Sequence, residues 1–277
     1  MGNRFRLKGF HRYKIPPVLK RETDPLRALI ASLFGNGQQG AMFIPQPVVL
    51  GQQVLFQDAA GTVPVTADGD PVGLMLDLSG NGNHATQTTS AARPIYRTDG
   101  TMHWLQFDGV NQVLTAPSSP DFDEVPITTV HAFRTEEQRT GQYRHISSYP
   151  TSSGRHWAVG TGGAGINGAF RVSNQVGASV SDTVRVTLSV ADNNPRVAAV
   201  TVEDPVGEST IRLNGGFEGT TSTGSAGSEA GIHRLSIGGN GNRNAQVDVY
   251  GAIVVQGEVS DTVSTEKYLA KLAGVTL

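Results

Sequence analysis

The most suggestive chemistry in the sequence is a group of oxygen-bearing side chains around a glycine. Asp77, Ser79 and Asn81, followed by Gly82, match positions 1, 3, 5 and 6 of an oxygen-ligand calcium loop. Position 12 of such a loop supplies a bidentate acid, and here it is Thr88. The alternative is a turn whose side chains hydrogen-bond their own backbone. The missing acid favours the turn, and Ca²⁺ is the one cofactor that these residues suggest.

A second group of carboxylates, Asp121, Asp123 and Glu124, lies between two prolines. A glycosidase needs two carboxylates roughly 5–9 Å apart. The strand pattern Glu-x-Asp-x-x-Glu, which many β-sandwich glucanases use, is absent from the sequence. A solvated turn or a metal contact is therefore favoured over catalysis, and we predict no catalytic residue.

Histidine and cysteine offer no metal motif. The chain has no cysteine, which excludes disulfides, thiolate catalysis and zinc–sulfur sites. The histidines from His84 to His233 are scattered, without His-x-x-x-His or His-Glu spacing. Structural or surface roles are favoured for them over metal ligation.

Binding of a glycan requires exposed aromatic rings and hydrogen-bonding side chains. Trp157 beside Arg155, and the loop residues Asn240 and Asn242, are the candidates for such a site. The alternative for Trp157 is a place in the core, since the chain has only 2 tryptophans. Both interpretations stay open at this point.

Charge is distributed unevenly along the chain. Residues 1–27 carry eight basic and two acidic side chains, whereas the whole chain has a net charge of −2. Cations and aromatic rings are interleaved in this N-terminal arm, and docking on a partner protein is favoured over nucleic-acid binding. The residues predicted to anchor the arm are Arg4, Phe5, Arg6, Lys8, Phe10, Arg12, Tyr13 and Lys14.

The elements that must position these residues are mostly short strands. Charged residues make up 17% of the chain, and glycine contributes 34 residues, a composition typical of strands joined by tight turns. Residues 184–190 alternate apolar and polar side chains, and Asn214-Gly215 favours a hairpin turn. Strands are predicted at 54–57, 73–77, 103–107, 113–116, 127–134, 156–160, 169–172, 184–190, 196–203, 210–213, 234–237 and 247–255.

Two helices complete the predicted all-β fold. Asp24-Pro25 is typical of a helix N-terminus, and apolar residues at helical spacing predict a helix over 25–34. A second helix near the C-terminus is predicted to be capped by Ser264 and ended by Gly274. We therefore predict an arm with a short helix over residues 1–50 and a β-sandwich over residues 51–277. No apolar run approaches the ~20 residues that span a bilayer, so no membrane insertion is expected.

Five blocks follow one another along the chain: DLSGNGNHATQ (77–87) with ARP (92–94) and LQFDGVN (105–111), RLNGG (212–216), SIGGN (236–240), VYGAIVVQGEVS (249–260) and EKYLAK (266–271). In this order they resemble the concanavalin A-like jelly roll of the laminin G superfamily. The upstream stretches GQQGAMF (37–43), LFQDAAGT (55–62) and GDPVG (69–73) are similar to a bacteriophage and prophage version of this module. That version occurs among virion structural proteins.

The resemblance implies a non-enzymatic virion protein, made in the bacterial cytoplasm and carried on the phage particle. Its arm would bind other virion proteins, the subunits would form a homo-oligomer, and a lectin-like jelly roll would decorate the particle or contact host glycans. The alternatives are a polysaccharide hydrolase or lyase on the same fold and a cellular adhesion module. Two convergent acids in a cleft would favour the enzyme.

Overall fold

The computed structural model describes residues 24–117, 126–135, 142–150, 156–162, 169–176, 180–202, 208–222, 233–240 and 243–277. In chain order the first strands are β1 (Gly40–Phe43), β2 (Val48–Val49), β3 (Gln52–Gln53), β4 (Leu55–Phe56), β5 (Leu74–Met75), β6 (Ala85–Thr86), β7 (Ile95–Thr98), β8 (His103–Asp108), β9 (Leu114–Thr115) and β10 (Ile127–Arg134). The later strands are β11 (Gln142–Pro150), β12 (His156–Gly162), β13 (Ala169–Val176), β14 (Val180–Ser189), β15 (Arg196–Val202), β16 (Glu208–Leu213), β17 (Gly216–Ser222), β18 (His233–Ile237) and β19 (Gln246–Gln256). Helix α1 (Pro25–Phe34) precedes the strands and α2 (Thr262–Leu272) follows them, with a 3-10 turn at Ser90–Ala92.

The strands form two large antiparallel sheets. The eight-stranded sheet has the order β17-β16-β15-β10-β19-β8-β7, with β1 also paired to β19. The nine-stranded sheet has the order β14-β13-β12-β11-β18-β9-β6-β5-β4, and β2 pairs with β3 separately. Consecutive strands pair at both ends of each sheet, whereas the central pairs β10-β19, β19-β8, β11-β18 and β18-β9 join strands that are not consecutive in the chain, as in a jelly roll. The predicted all-β sandwich is confirmed.

The two sheets meet in an aromatic core. His131 and Phe133 on β10 face His145 on β11 and Phe170 on β13. The ring centroids of Phe133 and Phe170 lie 5.5 Å apart, and those of His131 and His145 lie 5.7 Å apart. These spacings are typical of packed aromatic pairs. The four rings therefore join one sheet to the other.

Helix α1 begins and ends where its local sequence predicts. The Asp24 carboxylate accepts a hydrogen bond from the Leu26 amide at 2.8 Å, and Pro25 occupies the first turn. Leu33 and Phe34 are buried in the core. Their burial attaches the helix to the sandwich.

Residues 24–50 belong to the sandwich, although the sequence places them in the N-terminal arm. Strand β1 is fully buried and pairs with β19 from Gly40 opposite Val255 to Phe43 opposite Ala252. A Cβ on Gly40 would lie 2.2 Å from the Val254 carbonyl oxygen, so only glycine allows this approach. Residues 24–50 therefore pack with the sandwich, and the division of the chain at residue 50 stays a prediction.

Helix α2 packs on the outer face of the eight-stranded sheet. A Cβ on Gly251 would lie 2.8 Å from Leu269 Cδ2, so the glycine gives the helix close access to β19. The Asp261 carboxylate caps the helix by accepting a hydrogen bond from the Ser264 amide at 2.9 Å. The predicted cap at Ser264 is therefore wrong by three positions, because the helix begins one turn earlier.

Several strands lie outside the sequence predictions. Strands β1, β7, β11 and β17 are present, and the last of these follows the predicted Asn214-Gly215 turn. Both turn residues have positive φ, 47° and 77°, as a two-residue hairpin turn requires. Neither described helix has the length and apolar character needed to cross a membrane.

We expect the buried histidines to make the fold sensitive to acid. His131 and His145 are fully buried, and burial lowers the pKa of His131 to about 3 and that of His145 well below its usual value. Below about pH 6.5 these two histidines become protonated in the unfolded chain, whereas they stay neutral in the folded chain. The free energy of unfolding should then fall by up to about 1.4 kcal/mol per pH unit for each histidine. Urea unfolding between pH 7.5 and 4.5 measures this slope.

The variant His131→Phe should reduce the acid slope, because phenylalanine keeps an aromatic ring among Phe133 and Phe170 and does not titrate. Phe133→Leu is the matched control from the same cluster. It should lower stability at every pH and leave the slope unchanged. An unchanged slope in His131→Phe would contradict the assignment.

Candidate functional site

Three neighbouring strands, β8, β19 and β10, align polar side chains on the outer face of the eight-stranded sheet. Gln106 on β8 lies opposite Ile95 on β7 and opposite Asp248 on β19. Asp248 in turn lies opposite Arg134 on β10. Directly paired residues project from the same face of a sheet, so these side chains form one row. The alternate β8 residue Phe107 is buried in the core, which places the row on the outer face.

An ion pair joins two members of this row. Arg134 donates from Nε and Nη2 to Asp248 Oδ2, at 3.0 and 2.5 Å. Both side chains are partly buried, at 27% and 12% exposed. Two charge-assisted hydrogen bonds between partly buried side chains fix the guanidinium and the carboxylate in position. The charge of the guanidinium is thereby matched by a carboxylate.

Aromatic rings support the same arginine from one side. The Arg134 Cζ atom lies 5.4 Å from the centre of the Trp104 ring and 5.9 Å from that of Tyr250. The two rings are 5.7 Å apart, and burial raises the pKa of Tyr250 to about 12. Cation–π attraction therefore adds to the ion pair in orienting the guanidinium.

A depression of about 320 Å³ opens beside this row. Its volume lies in the range of small-molecule sites, which begins at about 300 Å³. The lining residues come from several strands and loops and are mostly polar: Ile95, Gln106, Phe107, Asp108, Gln112, Arg134, Thr135, Asn193, Gln246, Val247 and Asp248. We call it the sheet-face depression.

The two lining carboxamides have defined orientations. Gln106 Oε1 accepts a hydrogen bond from Arg97 Nε at 3.1 Å, and Gln112 Oε1 accepts one from the Asp108 amide at 2.9 Å. Because protein donors engage both oxygens, the hydrogen-bond network assigns each NH₂ group as the outward donor. The sheet-face depression thus presents amide donors.

The Asp108 carboxylate also organises the rim. Its Oδ1 accepts hydrogen bonds from the amides of Val110, Asn111 and Gln112, at 2.8, 3.2 and 3.2 Å. Its Oδ2 has no hydrogen bond to the residues that the structure describes. The depression therefore combines amide donors with carboxylate acceptors.

A larger depression of about 720 Å³ lies on the nine-stranded sheet, and two of its polar side chains, Gln87 and His84, are already hydrogen-bonded within the protein. The side-chain Nε2 of Gln87 donates to the Val113 carbonyl, and its Oε1 accepts from the backbone amide of Thr89. His84 Nδ1 accepts from the Asp77 amide at 3.0 Å. A ligand there would compete with these bonds, so the sheet-face depression is the stronger candidate.

The predicted calcium residues form a hydrogen-bonded turn. Asp77 Oδ1 accepts from the amides of Met42 and Ser79, each at 2.8 Å. Asp77 Oδ2 accepts from Ser79 Oγ at 2.7 Å and from the Asn83 amide at 3.0 Å. Asn81 Nδ2 donates to the Gly40 carbonyl at 3.1 Å. Hydrogen-bond donors of the protein thus surround the Asp77 carboxylate. This arrangement matches the hydrogen-bonded turn that was the alternative to a calcium loop.

This turn clamps β1 to the loop that follows β5. The Gly40 carbonyl accepts hydrogen bonds from the side chains of Ser79, Asn81 and Asn83. Among the described residues there is no group of three or more His, Cys, Asp and Glu side chains placed to hold a metal. Calcium binding stays a prediction, and such an ion would have to displace these donors.

Two of the predicted glycan residues, Trp157 and Asn240, lie among the described residues, and both are buried. Trp157 is 2% exposed, since it shares the inward face of β12 with the buried residues Val159 and Thr161. It therefore belongs to the core and cannot offer its ring to a sugar. Asn240 is 8% exposed and donates from Nδ2 to Ser147 Oγ at 3.3 Å.

Other predicted site residues lie outside the described residues. They are Arg155 and Asn242 of the glycan set, the carboxylates Asp121, Asp123 and Glu124, and the anchoring residues Arg4, Phe5, Arg6, Lys8, Phe10, Arg12, Tyr13 and Lys14.

Sequence reasoning missed the sheet-face depression. The signal that was present is alternation: Gln106 and Asp108 on β8, and Gln246 and Asp248 on β19, alternate with buried apolar residues. The alternation marks an outward face, but only the strand register brings the two sets together.

No family model and no curated protein matches this chain. Solved structures share its fold. Domain 4 of the arabinanase AbnA from Geobacillus stearothermophilus, in complex with arabinotriose, is 12% identical, with a TM-score of 0.53, covering 71% of this chain and 91% of that one. The binding domain of Paraclostridial Mosquitocidal Protein 1 is 14% identical, with a TM-score of 0.52, covering 73% of this chain.

A third similar structure is that of botulinum neurotoxin type C, whose cell entry depends on interaction with two ganglioside molecules. It is 10% identical, with a TM-score of 0.51, and the alignment covers 86% of this chain. The alignments span 53% and 52% of the two toxin chains, so this chain matches about half of their length. At identities this low, the structural similarity shows that the β-sandwich fold is shared and shows nothing beyond the fold.

We expect Asp77→Ala to destabilise the fold whether or not calcium is present. The substitution leaves the buried amides of Met42 and Asn83 without their acceptor, which should cost at least about 2 kcal/mol of unfolding free energy. Urea unfolding in calcium and in chelator measures the loss. Asp58→Ala, which removes a similar set of hydrogen bonds at the surface, should lose less. A calcium-dependent rise in Tm that disappears in Asp77→Ala would contradict the turn interpretation.

Proposed function

We propose that this protein is a carbohydrate-binding module and that the sheet-face depression is its binding site. The observation that carries the proposal is the pairing of carboxamide donors with carboxylate acceptors on a rigid sheet face. Gln106 and Gln112 supply the donors, and Asp108 supplies an acceptor oxygen. A sugar hydroxyl both donates and accepts hydrogen bonds, and so it needs both kinds of partner.

The strands hold these groups in a fixed arrangement before any ligand arrives. Gln106 and Asp248 lie on directly paired strands, and the Arg134 ion pair restricts Asp248. Preorganised side chains lose less conformational entropy on binding than free ones. This favours recognition of weakly binding polar molecules such as sugars.

The structures of similar fold support the proposal. The structure of the arabinanase domain is a complex with arabinotriose, and cell entry of botulinum neurotoxin type C depends on interaction with two ganglioside molecules. Sugar binding on this fold is thus compatible with its architecture. A shared fold alone does not transfer a function, and the residues of the sheet-face depression carry the proposal.

We propose binding without catalysis. The alternative is a polysaccharide hydrolase that uses Asp108 and Asp248 as its two acids. Asp248 is already engaged by Arg134, and Asp108 holds three backbone amides of its own loop. These bonds favour positioning roles. Release of new reducing ends from a bound oligosaccharide would favour the hydrolase instead.

A place on a phage particle is a separate proposal. It depends on the resemblance of residues 37–43, 55–62 and 69–73 to a virion module, and on the basic and aromatic arm. The arm would dock on other virion proteins and the sandwich would meet host glycans.

We expect Gln106→Ala to weaken carbohydrate binding by about tenfold, because one good hydrogen bond to a ligand contributes about 1.4 kcal/mol. Gln52→Ala, an exposed glutamine on β3, is the matched control and should bind as the unaltered protein does. A glycan array identifies the bound sugars, and calorimetry then measures Kd. Equal loss of binding in both variants would contradict the assignment of the site.

Removal of residues 1–24 tests the arm. The truncated protein should keep a folded β-sandwich, because the core lies between residues 26 and 273, and should lose its incorporation into phage particles. Circular dichroism checks the fold, and blotting of purified particles checks incorporation. Normal incorporation would contradict an anchoring role.

A further inference from the structure

We infer that the depression on the nine-stranded sheet is a second binding site, which takes the carboxylate or sulfate group of an acidic sugar between Arg234 and His84. We call it the nine-strand depression. It lies on the other sheet from the sheet-face depression, so the inference goes beyond the proposed function and does not depend on it. Two hydrogen-bond donors and the hydroxyl groups between them carry the inference.

Strand register places Arg234 and His84 on either side of Pro117. Thr115 on β9 lies opposite the residue two positions after Arg234 on β18 and opposite the residue two positions after His84 on β6. Because these neighbours are antiparallel, Pro117 falls between Arg234 and His84, and their backbones are about 10 Å apart across two strand spacings. The alternate residues of these strands are buried in the core, so the row lies on the outer face of the sheet.

The Arg234 guanidinium is available to a ligand. Arg234 is exposed, and its side chain makes no hydrogen bond or ion pair with the residues that the structure describes. A guanidinium presents five N–H donors in a planar fork, which binds the paired oxygens of a carboxylate or of a tetrahedral oxyanion. Arg234 therefore supplies a positive charge and a directional set of donors to the nine-strand depression.

The His84 ring adds a donor whose proton position follows from a backbone contact. The Asp77 amide donates to His84 Nδ1 at 3.0 Å. Since a backbone N–H can only donate, Nδ1 carries no proton, and the neutral ring has its proton on Nε2. This Nε2–H makes no hydrogen bond with the described part of the chain. A ligand that accepts from Nε2–H therefore leaves the bond at Nδ1 intact.

Between the two donors the depression offers hydroxyl groups and a small apolar surface. Thr86, Thr88 and Thr115 supply the hydroxyls, which both donate and accept, and Pro117 supplies C–H surface. The volume of about 720 Å³ lies within the range of small-molecule sites and is larger than a single carboxylate requires. A simple anion would leave the threonines unused. An acidic sugar brings an anionic group for the guanidinium and hydroxyl groups for the threonines.

The charges next to the nine-strand depression are arranged in favour of an anion. Arg93 donates to two backbone carbonyls of the lining segment 87–88, at 3.3 and 3.4 Å, so a second guanidinium lies beside the site. The Asp58 carboxylate, one residue before the lining residue Ala59, accepts three hydrogen bonds from its own loop. The Asp77 carboxylate is likewise surrounded by donors. These donors compensate both negative charges, whereas the Arg234 charge stays available to a ligand.

The test uses an array of galacturonate oligomers and sulfated galactose oligomers beside neutral galactose oligomers and a short single-stranded DNA, with the full chain as the binder. Calorimetry then measures Kd for the acidic oligomers that bind. Arg234→Gln should lose at least about tenfold in affinity for them, because charge-assisted hydrogen bonds are removed while an amide of similar shape remains. The affinity of the unaltered protein should fall as salt rises. The two acidic arms show whether the site prefers a carboxylate or a sulfate.

Further variants separate the two donors from a general loss of charge. Arg234→Lys keeps the charge without the fork and should lose less than Arg234→Gln. His84→Asn keeps an oxygen near the place of Nδ1 but has no Nε2, and should lose about threefold. Arg27→Gln removes an exposed arginine on α1, outside the described lining, and is the matched control that should bind as the unaltered protein does. Thermal melts check that each variant folds.

The outcomes distinguish this inference from the proposed function. Acidic binding that is weakened in Arg234→Gln and intact in Arg27→Gln and Gln106→Ala supports the inference. An unchanged affinity in Arg234→Gln, an equal loss in Arg27→Gln, tighter binding of the DNA, or no acidic binding at all overturns it. Acidic binding without any binding of neutral sugars overturns the proposed function and leaves the second site in place.

Discussion

Strand β19 is hydrogen-bonded to β10 along one edge and to β8 and β1 along the other, and the rest of the structure depends on the register of those pairings. Its first half carries Gln246 and Asp248 into the sheet-face depression. Its second half holds β1 and receives α2 at Gly251. A shift of one residue would exchange the inward and outward faces of the strand. The candidate site, the pairing of β1 and the packing of α2 therefore all depend on the register of β19.

A bulge within this pairing links the core to the surface. Ala132 lies opposite Gly251 and Phe133 lies opposite Val249, so Tyr250 is the extra residue on β19. The bulge lets Phe133 face His145 in the core while Tyr250 approaches Trp104 and Arg134 on the outer face. Bulges commonly redirect side chains in this way next to functional sites. Packing between the sheets therefore determines where the guanidinium of the candidate site lies.

The carboxylates of this chain fall into two groups, one that stabilises the fold and one that lines the sheet-face depression. Asp77 is surrounded by protein donors and serves to hold β1, whereas the carboxylates of the depression lie beside amide donors that point outward. Both sets consist of Asp and amide side chains, and both are rich in hydrogen bonds. They differ in burial, since Asp77 is buried and Asp108 is exposed. A buried polar group must find its partners inside the protein, and an exposed one can exchange water for a ligand.

The sequence by itself determined the features that depend on neighbouring residues. Asp24 and Pro25 begin α1 at the predicted position, Asn214-Gly215 makes the predicted turn, and strands form at the predicted positions of β8 and β10, because caps, turns and strand-forming runs are short-range effects. The tertiary structure decided the rest. Strand β1 finds a partner more than 200 residues away, Trp157 turns inward, and Gln106 meets Asp248 across a strand pair. Register and the choice of buried face are settled by the packing of the whole sandwich, which no local stretch of sequence records.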